Sequence, residues 1–151
     1  MKSVLISIRP WPCNQIAELK KTLEVRKNKP RMKPPFKCYI YMNAGGWVWR
    51  DPFATAIIPT KGEIYNGSQK VIGEFTCDEI HDIAYTMDGF ADSIDCEQSC
   101  LNPMDFIEYG KGKPLYGWHI SDLKIFDVHK SLSEFGLKRA PQSWCYVEEV
   151  D

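Results

Sequence analysis

The sequence lacks any long hydrophobic run, and no apolar stretch approaches the ~20 residues that a membrane-spanning helix needs. Its first ten residues contain only a short apolar stretch and no small-residue cleavage site, so we expect no export signal, no membrane association and a cytoplasmic location. In that reducing compartment the six cysteines are expected to remain thiols.

The sequence also lacks the glycine-rich, P-loop, HExxH and GxSxG motifs of the common nucleotide-binding and hydrolytic enzymes, which disfavours those classes. Internal repeats, low-complexity tracts and long linkers are absent as well. A chain of 151 residues without such divisions is the usual size of one domain, so we predict a single domain over residues 1–151 and expect no cofactor.

The net charge of −1 conceals a strong asymmetry along the chain. Between Lys20 and Lys37 there are eight basic residues and one acid, a net charge of about +7, which leaves about −8 for the remainder. A local concentration of positive charge suits an anionic partner such as a phosphate backbone. The alternative interpretation is that these lysines and arginines only solvate a loop.

Hydrophobic patterning predicts an α+β domain around a closed or partly closed sheet. A helix is predicted to begin at Pro10 and end near Lys20, and a short helix to begin near Asn102. Residues 27–35, with three prolines, are expected to form a loop. Strands are predicted over residues 4–8, 22–26, 38–42, 71–77, 116–128 (bulged near Asp122) and 144–147, with a further short strand at 47–49 and a helical or extended segment at 55–58.

The segment between the first helix and the loop carries the first candidate site. In a strand, Leu23 and Val25 would face the core while Thr22, Glu24 and Arg26 share the other face. Lys21 offers a mobile ammonium, Arg26 a rigid fork for phosphate or a base edge, and Glu24 an acceptor for a base amino group. The alternative is a partly exposed ion pair of small energetic value.

Aromatic residues accompany the basic segment, a combination that single-stranded nucleic-acid binders use for stacking. Most of them are expected to fill the core instead, because Tyr39 and Tyr41 alternate with Cys38, Ile40 and Met42 in a predicted strand. Trp47 and Trp49, which follow two glycines, are the better candidates for surface aromatics.

Two further groups of residues carry side chains suited to a site. Cys77, His81, Cys96 and Cys100 supply zinc-type ligands, but in a strand Cys77 and His81 would lie about 13 Å apart, so buried thiols are favoured and no metal is expected. A second group places hydrogen-bonding and stacking groups in two strand-like segments, where they line a pocket or are satisfied within the core: Trp118, His119, Gln142, Ser143 and Trp144.

These residues carry a resemblance to a known family. Lys21-Thr22 with Glu24 and Arg26, followed later by the strand Val71–Phe75, resembles the motif Gly-x-Lys-x-x-Glu-x-Arg of the ASCH domain in the PUA-like superfamily. The segments Gly117–Leu123 and Pro141–Val147 resemble a subgroup found in Gram-positive bacteria and their phages. The resemblance spans nearly the whole chain, although Leu19 stands where the motif has glycine.

The resemblance implies a small β-barrel of about five or six strands, with a helix after the first strand and one or two short helices. It also implies a cleft between the barrel and the early helix that holds RNA or a modified nucleotide through Lys21, Glu24 and Arg26. A glycine at position 19 would permit a positive φ, so Leu19 leaves the shape of that turn open.

Three functions remain open at this stage. The first is RNA or nucleotide binding in the basic cleft. The second is a nucleoside or RNA hydrolase, amidohydrolase-like or ribonuclease-like, with Lys21 and Glu24 as acid/base candidates. The family's small amidohydrolase that acts on N4-acetylcytidine has a threonine where Glu24 stands here, which disfavours that particular chemistry. The third is a phage-encoded module that binds a protein partner.

Overall fold

The computed structural model describes residues 1–44 and 69–150. Within these ranges the chain forms six strands, three α-helices and one 3-10 helix. In chain order the elements are β1 (Lys2–Ile8), α1 (Pro10–Ala17), β2 (Leu23–Arg26), β3 (Phe36–Met42), β4 (Lys70–Asp82), α2 (Ser93–Ser99), α3 (Pro103–Gly110), β5 (Tyr116–Lys130), the 3-10 helix (Leu132–Phe135) and β6 (Trp144–Glu148).

The six strands form one curled sheet in the order β2-β5-β4-β3-β1-β6, which confirms the predicted α+β class and the half-barrel architecture. Strands β1 and β3 are parallel, and every other pair is antiparallel. Strands β2 and β6 are the two edges of the sheet, and each is bonded to a single neighbour, β5 and β1, respectively. The predicted extent of one domain over residues 1–151 stays a prediction.

Both faces of the central strands are buried, and the alternation predicted for β3 is confirmed. Cys38, Ile40 and Met42 belong to one apolar cluster, which also contains Trp118, whereas Tyr39 and Tyr41 belong to a second cluster on the opposite face. Neither face of β3 is therefore open to solvent, and its two tyrosines fill the core as expected.

The predicted bulge near Asp122 is present. Asp122 has a φ of +49°, and the pairing of β4 with β5 shifts between Thr76↔Ser121 and Glu74↔Lys124. Three steps along β5 thus match two along β4, which inserts one extra residue and strengthens the local bend. Both strands extend beyond their predicted limits, β4 to Asp82 and β5 to Lys130.

The helices differ from the sequence-based prediction in two places. Helix α1 ends at Ala17 rather than near Lys20, because Leu19 adopts a φ of +62° and the chain turns there. Helix α2 was missed, since its seven residues show no apolar periodicity. Its start is fixed by Asp92, whose side chain accepts hydrogen bonds from two backbone N–H groups of the first turn. Helix α3 begins at Pro103 after the cap Asn102, as predicted.

The predicted strand at 47–49, the segment at 55–58 and the aromatic candidates Trp47 and Trp49 lie outside the described residues. Among the helices within the described ranges, none has the length and apolar character required to cross a membrane.

Candidate functional site

The three charged residues of the motif form one buried cluster that extends from just before β2 to the last residue of the strand. Lys21 precedes the strand, whereas Glu24 and Arg26 lie on the same side of it, as the period of two predicts. Their exposed fractions are 4%, 6% and 9%, respectively. The alternative of a partly exposed ion pair is therefore wrong. On this face the cluster contacts Ser7 of β1 and Ser99 of α2. On the other face, Leu23 and Val25 pack against Phe106 of α3.

Arg26 connects the edge strand β2 to the opposite side of the curled sheet. Its Nη2 donates to the carbonyl of Ser7 in β1 at 2.7 Å, and its Nη1 donates to the hydroxyl of Ser143 at 3.1 Å. Its Nε and Nη2 also reach Glu24 Oε2, at 2.8 and 2.7 Å. Nη1 also lies 3.5 Å from the carbonyl of Ser143. All three nitrogens of the guanidinium thus have protein partners, so Arg26 mainly holds the cluster together.

Lys21 and Glu24 retain more of their hydrogen-bonding capacity. The Lys21 ammonium donates to the carbonyl of Ser99, at the end of α2, at 2.8 Å and lies 3.4 Å from Glu24 Oε1. Among the residues that the structure describes, these contacts take two of its three N–H groups. Glu24 directs Oε2 to Arg26 and Oε1 to Lys21, and Oε1 keeps capacity for a further donor.

The ionisation of Glu24 follows from its neighbours. Burial raises the pKa of this carboxyl, but the charges and hydrogen bonds of Arg26 and Lys21 outweigh burial and lower the pKa below its usual range. Glu24 is therefore a carboxylate at neutral pH, and the cluster presents fixed charges of both signs.

A hollow of about 240 Å³ opens over this cluster, between the sheet and α1. Strands β1 and β2 supply its floor, and the beginning of α1 forms one wall with Trp11 and Pro12. Ser99 at the end of α2 and Tyr109 of α3 complete the lining. Its polar and aromatic lining comprises Ser7, Arg9, Trp11, Lys21, Glu24, Arg26, Asn43, Ser99, Tyr109 and Gln142.

Two of the remaining predicted residues adjoin this hollow and one lies behind it. Gln142 lines the hollow, and the Ser143 hydroxyl accepts a hydrogen bond from Arg26. Thr22 is outside the lining and acts through its backbone: its N–H donates to the carbonyl of Gln98, and its carbonyl accepts from Ile120. Thr22 therefore ties the start of β2 to α2 and β5.

The other three predicted residues are placed elsewhere. Trp118 is fully buried and packs edge-on against Phe36 and Trp144, so the expectation that its ring stacks on a ligand is corrected: it is a core residue. Trp144 is half-buried against Trp118, and its Nε1 donates to Asn28 at 2.7 Å. His119 pairs with Asp78 on β4 at 2.7 Å, outside the lining of the hollow.

Sequence reasoning missed the aromatic residues that do line the hollow, Trp11 and Tyr109. For Trp11 a signal existed, since it lies off the apolar stripe of Cys13, Ile16 and Ala17 that faces the core. Tyr109 gave no comparable signal, because its position depends on how α3 packs against residues distant in sequence.

The four residues with zinc-type side chains, Cys77, His81, Cys96 and Cys100, do not form a metal site. Among the residues described, no group of three or more histidine, cysteine or acidic side chains is arranged to hold a metal. Cys77 is buried in the core, where burial raises the pKa of its thiol to about 12. His81 instead pairs with Asp95 at 2.8 Å, and Cys100 Sγ contacts the carbonyl of Lys20. All six cysteines are free thiols.

Comparison with known proteins identifies the fold. No family model matches the sequence, and no curated protein matches it. Among solved structures, ASCH from Zymomonas mobilis superposes with a TM-score of 0.64 at 17% identity, over 97% of this chain and 88% of that protein. A tyrosine-to-phenylalanine variant of the same protein gives a TM-score of 0.63 at 17% identity, over 99% and 92% of the two chains.

The chain therefore has the fold of ASCH domain proteins, as the sequence motif predicted. The finer resemblance to a Gram-positive and phage subgroup stays a prediction.

Proposed function

We propose that this protein binds RNA or a modified nucleotide, with one base held in the hollow above the Lys21–Glu24–Arg26 cluster. The observation that carries the proposal is that this cluster is buried and fixed, yet keeps one donor on Lys21 and acceptor capacity on Glu24. The likeness of the fold to ASCH proteins and the positive charge of residues 20–37 support the same conclusion.

A donor beside an acceptor suits the edge of a nucleobase. An amino group would donate to Glu24 Oε1, and a neighbouring ring nitrogen or carbonyl would accept from Lys21. The hollow, about 240 Å³, is at or below the lower end of the range for small-molecule sites, so it accommodates one base or nucleoside rather than a folded RNA element. Trp11 and Tyr109 supply aromatic surface on its walls for stacking.

The state of Glu24 favours recognition over acid/base chemistry. A general base works best when its pKa lies near the working pH, whereas the pKa of Glu24 is lowered by Arg26 and Lys21. A hydrolase that uses Lys21 and Glu24 as acid/base partners is therefore the weaker candidate. A cytoplasmic setting is also part of the proposal, because six free thiols persist best in a reducing compartment.

The test begins with mass spectrometry of nucleotides and RNA fragments released from the purified protein. Binding of the identified ligand, or of the four ribonucleosides and a random RNA pool, is then compared between the wild type, Lys21→Met and the matched control Lys20→Met. Lys20 is the adjacent lysine, and its exposed ammonium pairs only loosely with Glu18 at 3.6 Å. Thermal unfolding establishes that both variants are folded.

We expect Lys21→Met to weaken binding by about tenfold or more, because a lost base-edge contact is worth ~1–3 kcal/mol. Lys20→Met should change it by less than about threefold, since exposed charges contribute weakly. Equal affinities of the wild type and the folded Lys21→Met variant would contradict the assignment of the hollow. An absence of binding to every RNA and nucleoside probe, even at low salt, would overturn the proposed function itself.

A further inference from the structure

A second hollow shares Tyr109 of α3 with the first. It has a volume of about 330 Å³ and is lined by Lys27, Tyr109, Gly110, Lys111, Lys113, Pro114 and Tyr116. Three of the seven are lysines, and no acidic residue is among the described residues that line it. Such a concentration of one sign of charge in a concave surface attracts an anionic group.

Lys111 and Lys113 lie in the turn after α3, and backbone hydrogen bonds stabilise this turn. The turn after α3 is closed by hydrogen bonds from Lys111 N–H to the carbonyl of Ile107 and from Lys113 N–H to that of Gly110, at 2.8 and 2.9 Å. The Tyr85 hydroxyl also donates to the carbonyl of Lys113 at 2.6 Å. The backbone that carries two of the three ammonium groups is therefore held in one conformation.

The loop after β2, which carries Lys27 and Lys29, contributes to the same surface. The ammonium of Lys27 lies over the ring of Tyr109, 4.8 Å from its centroid, and that of Lys29 lies over Tyr116 at 5.0 Å. These cation–π contacts orient the two side chains toward α3 and β5 while their charges stay accessible to solvent. Lys37 differs, because Glu74 and Glu149 neutralise it at 3.1 and 2.6 Å.

Tyr109 joins the two hollows, since it lines both of them. A ligand whose base occupies the first hollow would thus extend over Tyr109 into a surface that carries Lys27, Lys111 and Lys113. In a nucleotide, the group next to the nucleoside is a phosphate, which lysine recognises as a point charge.

We propose that the hollow formed by Lys27, Lys111 and Lys113 is a phosphate subsite, which takes a phosphate group attached to the nucleotide whose base lies in the first hollow. The inference rests on the proposed function and extends it. The phosphate belongs either to a mononucleotide, where it carries between one and two negative charges at neutral pH, or to the diester backbone of an RNA strand, where it carries one. Both present anionic oxygens that lysine side chains bind.

The test compares Lys111→Ala/Lys113→Ala with the charge-matched control Lys124→Ala/Lys138→Ala, whose lysines are exposed and lie outside both hollows. The probes are a fluorescein-labelled random eight-nucleotide RNA, the four ribonucleosides and their 5′-monophosphates. Fluorescence anisotropy or calorimetry gives each affinity, and the RNA measurement is repeated over a series of salt concentrations.

We expect the subsite variant to bind RNA about tenfold more weakly at low salt and to lower the slope of log K against log salt by about 0.7, since the subsite neutralises one phosphate and each neutralised phosphate of a single strand contributes ~0.7. Its affinity for uncharged nucleosides should stay at the wild-type value. A parallel loss for the monophosphates places the nucleotide's own phosphate in the subsite, and a loss confined to RNA places a diester there.

Equal RNA affinity and salt slope in the subsite and control variants would overturn the subsite while leaving the first hollow intact. A wild type that binds neither nucleosides nor RNA would instead overturn the proposed function and this inference together. The nucleoside measurement separates the two failures.

Discussion

Two groups of positive charge meet at the end of β2 and differ in almost every physical respect. Arg26, the last residue of the strand, is buried and hydrogen-bonded to three other residues, whereas Lys27, the next residue, is exposed. The boundary between strand and loop therefore separates charges that the fold fixes from charges that solvent surrounds. Residue type and the local density of charge alone do not distinguish them.

The energetics of the two groups differ accordingly. A buried ion pair loses its hydration. It destabilises the protein unless hydrogen bonds from neighbouring groups satisfy the remaining donors and acceptors of both ions. An exposed lysine interacts weakly with the rest of the fold and is screened by salt, but it remains available to an anionic ligand. The buried cluster thus suits recognition of one particular group, and the exposed lysines suit attraction of any phosphate.

The largest expected effect comes from removing Arg26. The Arg26→Met variant keeps the apolar stem but leaves the Glu24 carboxylate buried with Lys21 alone, and it breaks the link from β2 to Ser7 and Ser143. We expect the free energy of unfolding, measured by urea denaturation, to fall by about 3–5 kcal/mol. The exposed Lys33→Met variant should change it by less than about 0.5 kcal/mol. Similar losses in both variants would abolish the distinction between the two groups.

The sequence predicted that Glu24 and Arg26 share one side of a strand, but it did not predict the distant residues that bury them. The alternation of residues 22–26 correctly placed Glu24 and Arg26 on one side of a strand, 2.8 Å apart across the Arg26 Nε–Glu24 Oε2 bond. Their burial depends on Ser7, Ser99 and Ser143, which are far away in sequence. Local periodicity carries no information about such partners.

The same limit explains the other successes and failures. The strand positions in the described residues, the helix start near Asn102 and the bulge near Asp122 follow from local patterns, and they were predicted. For Trp118 the sequence left two alternatives open, a pocket residue or a residue satisfied within the core, and packing against Phe36 and Trp144 decides for the core. The short polar helix α2, which supplies a carbonyl to Lys21, left no hydrophobic pattern to detect.

Acid offers a gentler way to weaken the buried cluster. Burial alone would raise the pKa of Glu24, but Arg26 and Lys21 lower it. The pKa in the folded protein is therefore below the value of about 4.3 that a glutamate has in an unfolded chain. The unfolded state therefore binds the proton first as the pH falls, and the stabilisation is present above that unfolded value and lost as the pH falls through the folded one.

The direction of this pKa shift can be tested by comparing the free energies of unfolding of the wild type and Glu24→Gln as the pH is lowered. Both variants share all other titrating groups, so the difference between their free energies of unfolding isolates Glu24. We expect the wild type to be the more stable at neutral pH, and its advantage to shrink below about pH 4.3. A constant difference from neutral pH to about pH 2.5, measured by urea denaturation at each pH, would contradict the assigned direction of the pKa shift.

The smallest expected effect concerns the turn that brings Lys21 into the cluster. Leu19 is 71% exposed and has a φ of +62°, a conformation that costs a residue with a Cβ roughly 1–2 kcal/mol. Leu19→Gly removes that cost. It also raises the entropy of the unfolded chain, which destabilises the folded state by ~0.5–1 kcal/mol. We therefore expect a net gain of about 0.5–1 kcal/mol in the free energy of unfolding.

Leu19→Ala keeps the Cβ and should stay within about 0.5 kcal/mol of the wild type, because the side chain buries little surface. A gain with glycine but not with alanine would show that the family's glycine serves the backbone of this turn, and that Leu19 maintains the same turn under strain. A loss of about 1 kcal/mol with glycine would mean that backbone entropy outweighs the relief of strain. In that case the turn would be fixed mainly by the hydrogen bonds of Lys20 and Lys21 N–H to the carbonyl of Gln15, at 2.9 and 3.0 Å.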